Sequence, residues 1–122
     1  MESPYKGKTG LRRLLNAFRY SFDGLKAAYK NEDAFRQEVL LAAVLIPLTF
    51  VLEHSAMGRA MMLGSVFLVI IVELLNSAVE ATVDRISLDN HLLAKRAKDI
   101  GSAAVMLSLV NLIVVWALVL LG

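Results

Sequence analysis

From residue 100 to residue 122 the chain carries no charged side chain. At 1.5 Å per residue such a stretch makes a helix about 35 Å long, enough to cross the ~30 Å hydrocarbon layer of a bilayer. Residues 60–83 form a second stretch of similar length, interrupted only by Glu73 and Glu80. Residues 39–52 form a third, which spans only about 21 Å as a helix. That shortest stretch must recruit residues from Ala34 onward, with Arg36 and Glu38 facing protein or snorkelling toward the headgroups. Apolar residues make up 57% of the 122 positions, with only 7 Gly and 2 Pro to punctuate them. Such a chain has room for one domain, and apolar content concentrated in a few long blocks reads as a membrane protein rather than a soluble core. The expected fold is all-α, with membrane helices over about 34–52, 57–83 and 98–121. The chain has no Cys, which excludes disulfides, thiolate catalysis and Cys-ligated metal sites.

The charge map orients these helices. Lys6, Lys8, Arg12, Arg13, Arg19, Lys26, Lys30 and Arg36 all precede the first span, and Arg85, Lys95, Arg96 and Lys98 lie between the second and third. Between the first and second stands only Arg59. The positive-inside rule therefore puts the N-terminus and the 84–99 segment in the cytoplasm and the C-terminus outside. No signal peptide is expected, because the first 30 residues contain no apolar run.

Residues 10–30 read as an amphipathic helix. Leu11, Leu14, Leu15, Phe18, Phe22 and Leu25 recur at helical spacing, with Arg12, Arg13, Arg19 and Lys26 mostly elsewhere on the wheel. An apolar face opposed by cations suits a helix lying on an anionic leaflet, or one packing on its own protein.

The chemistry concentrates in the second membrane helix. Glu73, Asn76, Glu80 and Asp84 are spaced 3, 4 and 4 apart and so share one face. Glu73 lies about 16 Å of helix rise from Asp84, well inside the apolar zone. An ionisable group at that depth costs a few kcal/mol at least, so it faces a cavity, a partner or a substrate path. The plainer alternative is a hydrogen-bonded cluster that only fixes an oligomer. A second patch, 95–102, opens the third helix: Lys98 and Ser102 share a face, and Asp99 stands beside them as a group that orients the Lys or holds a metal. A third, 31–38, supplies Glu32 and Glu38 at the cytoplasmic interface. Carboxylates, Mg²⁺ and a Lys are the parts that phosphoryl transfer needs, because that chemistry is mainly positioning and charge neutralisation.

Other signals carry less. Gly7-Lys8-Thr9 resembles the end of a phosphate-binding loop, but Glu2 stands where its first Gly belongs and no strand precedes it. His54 and His91 are isolated, and His91 falls in the cytoplasmic segment within reach of a nucleotide. Trp116 is expected as an outer-interface anchor and Asn111 as an interhelical hydrogen-bond donor. Ala97, Gly101, Ala104 and Ser108 make a small-residue face for close helix packing.

Three segments together resemble the small integral-membrane diacylglycerol kinases of bacteria: Glu73-Leu74-Leu75-Asn76-Ser77-Ala78-Val79-Glu80 with Val83-Asp84-Arg85, then Ala97-Lys98-Asp99-Ile100-Gly101-Ser102, and Ala34-Phe35-Arg36-Gln37-Glu38. The resemblance runs from about Arg13 to Ala104. It implies a homotrimer, each chain a surface helix plus three membrane helices, with active sites shared between neighbours. It further implies that Glu73 is the general base on the lipid hydroxyl and that Glu32 and Glu80 hold Mg²⁺. Arg13, Tyr20, Glu32, Asn76, Glu80, Asp89, Asn90, His91, Lys98 and Asp99 would bind ATP. Arg13, Ser21, Ala34, Phe35, Arg36, Gln37, Glu38, Glu73 and Ser102 would line the lipid path. The implied reaction is ATP-dependent phosphorylation of diacylglycerol to phosphatidic acid at the bacterial inner membrane.

Two other readings differ in class or acceptor. The sister activity on undecaprenol keeps the mechanism and changes the lipid, although Phe35-Arg36-Gln37-Glu38 and Asp84-Arg85 look more like the diacylglycerol branch. A small proton-coupled transporter or channel explains the buried acids but leaves Lys98, Asp99 and Glu32 without a role.

Overall fold

The computed structural model describes residues 6–86 and 91–122 and is helical throughout: α1 (Lys6–Asn31), α2 (Asp33–Leu52), α3 (Ala56–Ile86) and α4 (His91–Leu121). Three of these are long and apolar enough to cross a membrane, over Asp33–Leu52, Ala56–Arg85 and Leu92–Leu121. The chain divides into two compact units, Met1–Glu32 and Asp33–Gly122.

In the N-terminal unit, α1 starts four residues earlier than the apolar pattern alone indicates, at Lys6 rather than Gly10. Its apolar side chains Leu11, Leu14, Leu15, Phe18 and Phe22 are exposed. The helix ends where the Glu32 N–H donates to the Ala28 carbonyl at 2.9 Å and the Asn31 amide to the Ala27 carbonyl at 2.9 Å. These bonds satisfy carbonyls that a helix end otherwise leaves open.

In the second unit, α3 packs against both α2 and α4. Met62, Val66, Val69, Leu112 and Trp116 form the buried core, with Leu45, Ile46 and Leu109 among the side chains laid against it. The polarity of this unit is inverted relative to a water-soluble fold. Thr49, Ser65, Glu73, Asn76 and Ser108 are buried, whereas Leu107, Ile113, Leu118 and many other large apolar side chains point outward. That distribution follows when the surrounding solvent is hydrocarbon: apolar side chains lose nothing by facing it, and polar groups must find partners inside.

The buried hydroxyls satisfy themselves on their own helices, Thr49 Oγ1 donating to the Leu45 carbonyl at 2.9 Å and Ser108 Oγ to the Val105 carbonyl at 2.7 Å. Between α2 and α3 a short turn is closed by side chains. Ser55 Oγ caps α3 by accepting from the Gly58 N–H at 3.0 Å, and Arg59 donates to the carbonyls of Glu53 at 2.6 Å and Phe50 at 3.1 Å. The Arg59 guanidinium also sits 5.1 Å from the centre of the Phe50 ring. The end of α2 and the start of α3 thus share one set of partners.

The structure differs from the sequence expectation at three points. First, α4 begins at His91 rather than near residue 98, so the helix takes in seven residues assigned to the preceding segment, Lys95 and Arg96 among them; the run from His91 to Lys98 is rich in Leu, Ala, Lys and Arg, all good helix formers. Second, Trp116 is buried rather than an interfacial anchor: its indole N–H donates to Ser65 Oγ at 3.1 Å and to the Met62 carbonyl at 3.3 Å. A buried indole N–H needs an acceptor, and α3 supplies two. Third, Asn111 is exposed and its side chain bonds to nothing among the described residues, because it lies on the face of α4 turned away from the Leu112–Trp116 contact with α3. The small-residue face is partly realised, with Ser108 buried and Gly101 half-buried, but Ala104 exposed.

The indole bonds tie α4 to α3 in an apolar medium, so Trp116→Phe, which keeps the ring and removes the donor, should cost about 0.6–2 kcal/mol. Reversible unfolding in mixed detergent micelles measures it; no change would mean that the N–H finds equal solvation outside the bundle.

Candidate functional site

The polar stripe of α3 forms a gradient along the helix. Glu73 is 3% exposed and Asn76 8%, Glu80 is half-buried, and Asp84 is open at the end. Spacing of 3, 4 and 4 puts all of them on one face, which α4 meets at Asn76 and at Asp84. The Asn76 Nδ2 donates to Glu80 Oε1 at 3.1 Å, which turns one carboxylate oxygen of Glu80 toward the amide. On its other side Asn76 meets α4 at Gly101, the residue whose missing side chain leaves room for the amide.

At the open end, Lys98 of α4 reaches across to α3, with Nζ 2.5 Å from Asp84 Oδ1. Asp84 was part of the stripe in sequence but had no assigned partner; the antiparallel register of α3 and α4 supplies one. Asp99, one position on, points elsewhere on the helix and pairs with Lys95 at 2.6 Å. Lys98 is therefore oriented by Asp84 rather than by its sequence neighbour Asp99. The Lys98–Asp84 side chains remain 43% and 63% exposed, so the pair is solvated and open to exchange with another anion.

The remaining candidates distribute as follows. Glu32, half-buried, belongs to the N-terminal unit. In that unit Arg13 and Tyr20 are exposed on α1 and line a shallow groove with Arg12, Asn16 and Ala17, and Ser21 is exposed on the same helix. At the start of α2, Ala34 and Gln37 are exposed, Phe35 is buried, Glu38 is half-buried, and Arg36 is ion-paired with Asp33. Ser102 is exposed on α4. Asp89 and Asn90 lie outside the described residues, and of His91 only its place as the first residue of α4 is described.

No three His, Cys, Asp or Glu side chains gather closely enough among the described residues to hold a metal by themselves. The oxygen donors present, Glu80 beside Asn76, nevertheless match Mg²⁺, which takes one or two protein carboxylates and completes its shell with water and phosphate oxygens. Chemically, the site offers a buried carboxylate and an oriented half-buried one along one face of α3, with an exchangeable lysine reaching its open end from α4.

Comparison with known proteins places these residues in context. The family model described as prokaryotic diacylglycerol kinase matches residues 19–120. A diacylglycerol kinase of Pseudomonas aeruginosa is 57% identical over 120 residues, covering 98% of each chain. That of Haemophilus influenzae is 53% identical over 108 residues (88% of this chain and 92% of the relative). That of Escherichia coli K12 is 45% identical over 112 residues, covering 92% of each.

A solvated ion pair contributes little to stability. A double-mutant cycle of Asp84→Ala and Lys98→Ala, read by unfolding in micelles, should give a coupling below about 1 kcal/mol. A coupling of several kcal/mol would mean that the pair is a buried structural tie instead.

Proposed function

The chain belongs to the prokaryotic diacylglycerol kinase family, and from that premise we propose that it transfers the γ-phosphoryl group of ATP to the free hydroxyl of diacylglycerol, giving phosphatidic acid, at the cytoplasmic face of the bacterial inner membrane. The observation that carries this reading is the α3 stripe, with a carboxylate buried at Glu73 and an exchangeable cation at its open end. A lipid hydroxyl reaches the stripe from the hydrocarbon side and a nucleotide from the water side.

In this mechanism the Glu73 carboxylate accepts the hydroxyl proton as the lipid oxygen bonds to the γ-phosphorus. The bond from that phosphorus to the bridging oxygen breaks, and the electron pair leaves with ADP. Lys98 exchanges Asp84 for phosphate oxygens and offsets their charge. Glu80, with Glu32, would hold Mg²⁺, which when bound neutralises charge on the phosphates. Arg13, Tyr20, Asp89, Asn90, His91 and Asp99 contribute further nucleotide contacts. Ser21, residues 34–38 and Ser102 line the acceptor's approach.

The reading includes a homotrimer with active sites shared between chains. It is supported by Asn111, an exposed amide on a membrane-spanning helix, where a neighbouring chain is the natural partner for a polar group. The exposed apolar residues of α1, interleaved with Arg12, Arg19 and Lys26, support a helix resting on the anionic leaflet. The basic residues before α2 and at the start of α4 support a cytoplasmic N-terminus and a periplasmic C-terminus.

Phosphate transfer tests the reading directly. Purified protein in mixed micelles is given labelled ATP, Mg²⁺ and either a short-chain diacylglycerol or undecaprenol. Magnesium-dependent labelling of diacylglycerol is expected, with kcat lowered about 10²–10⁴-fold by Glu73→Gln, the range of a lost general base. Preference for undecaprenol would change the acceptor and keep the chemistry. Labelling of neither lipid by folded protein would overturn the kinase reading.

A further inference from the structure

Asn76 has a buried amide oxygen with no hydrogen-bond partner among the described residues. This is costly in an apolar interior, where an unmade hydrogen bond is not replaced by water. The neighbour facing that oxygen is Gly101 of α4. A methyl in place of the Gly101 Hα would overlap Asn76 Oδ1 and come within 3.2 Å of its Cγ. The Gly101 Cα–H therefore points at the amide oxygen, the geometry of a weak Cα–H···O contact at a close helix crossing. The opposite end of the same amide donates to Glu80 at 3.1 Å. Turning the amide over would aim its oxygen at the Glu80 carboxylate and its NH₂ at a C–H, losing both contacts.

We infer that Gly101 is a positioning residue: its bare Cα leaves the space that the Asn76 amide oxygen occupies while its donor is turned to Glu80, and so it fixes the Glu80 carboxylate for its role in the phosphate site. The inference rests on the phosphotransferase reading above. It assigns Asn76 to holding Glu80, since the Asn76 oxygen is buried against Gly101 of α4. Gly64, on α3 in the same unit, has open space where a Cβ would go and is the internal control for replacing a membrane-helix glycine.

The test compares Gly101→Ala, Gly64→Ala, Asn76→Ala and the Asn76→Ala/Gly101→Ala double variant as full-length protein in mixed micelles. Three quantities are read: kcat, the KM for diacylglycerol, and Mn²⁺ binding by electron paramagnetic resonance with a non-hydrolysable ATP analogue. Gly101→Ala should lower kcat about 10–100-fold, the cost of a misplaced catalytic group, and weaken Mn²⁺ binding, with the lipid KM within about twofold of wild type. Gly64→Ala should stay within about twofold of wild type, and adding Gly101→Ala to Asn76→Ala should cost less than about twofold more. Equal losses in both backgrounds, or an unchanged Gly101→Ala enzyme, overturn the inference.

If Gly101→Ala does not fold, Asn76→Ser, which shortens the side chain that the methyl meets, should restore folding. Failure to do so would locate the clash elsewhere and also overturn it. A wild-type protein that labels no lipid would defeat the kinase reading, while the folding rescue would still report on the Gly101–Asn76 contact.

Discussion

A polar group inside a bilayer has no water to fall back on, so those on α3 draw their partners from α3 itself and from the helices packed against it. The arrangement of the second unit follows from that. Thr49, Ser65, Glu73, Asn76 and Ser108 are buried, while most of the large apolar side chains turn outward. The helix face with most to satisfy, carrying Glu73, Asn76 and Glu80, meets α4 at Asn76. Stability and chemistry therefore draw on the same residues.

The α3–α4 contact is organised at three levels. At one end the Trp116 indole bonds to Ser65 and Met62. At the other, Lys98 pairs with Asp84 in contact with water. Between them Gly101 lets α4 approach the Asn76 amide closely. The buried tie is well protected and sets the register, whereas the solvated pair is weak and exchangeable.

Much of this was legible in the sequence because membrane helices leave a coarse signature. The charge-free run from residue 100 onward and the i, i+3, i+7 spacing of Glu73, Asn76 and Glu80 indicate the spans and a polar face without tertiary information. What stayed hidden depends on register between helices. The partner of Lys98 is set by how α4 slides along α3, and nothing in the local sequence prefers Asp84 to Asp99. Trp116 fits an interfacial anchor as readily as an interhelical donor until Ser65 is found opposite it. The Gly101 role was equally invisible, since a small-residue face announces close packing but not which side chain fills the space. The start of α4 was misjudged because its charges suggested a loop, whereas Leu, Ala, Lys and Arg continue a helix without strain.

The α3 stripe has a dry end at Glu73 and a wet end at Asp84, joined along one face. The absence of native cysteine makes this directly measurable. Asp84→Cys, Glu80→Cys, Asn76→Cys and Glu73→Cys, introduced one at a time, would be labelled in native membranes with a charged, water-soluble maleimide. Labelling should be fast at position 84 and slower at 80, with rates lower by more than about an order of magnitude at 76 and 73, because the reactive thiolate is disfavoured in apolar surroundings and the reagent cannot enter them. Comparable rates at all four positions would contradict this, since they would describe a water-filled path along α3 of the kind that a proton-conducting pore requires.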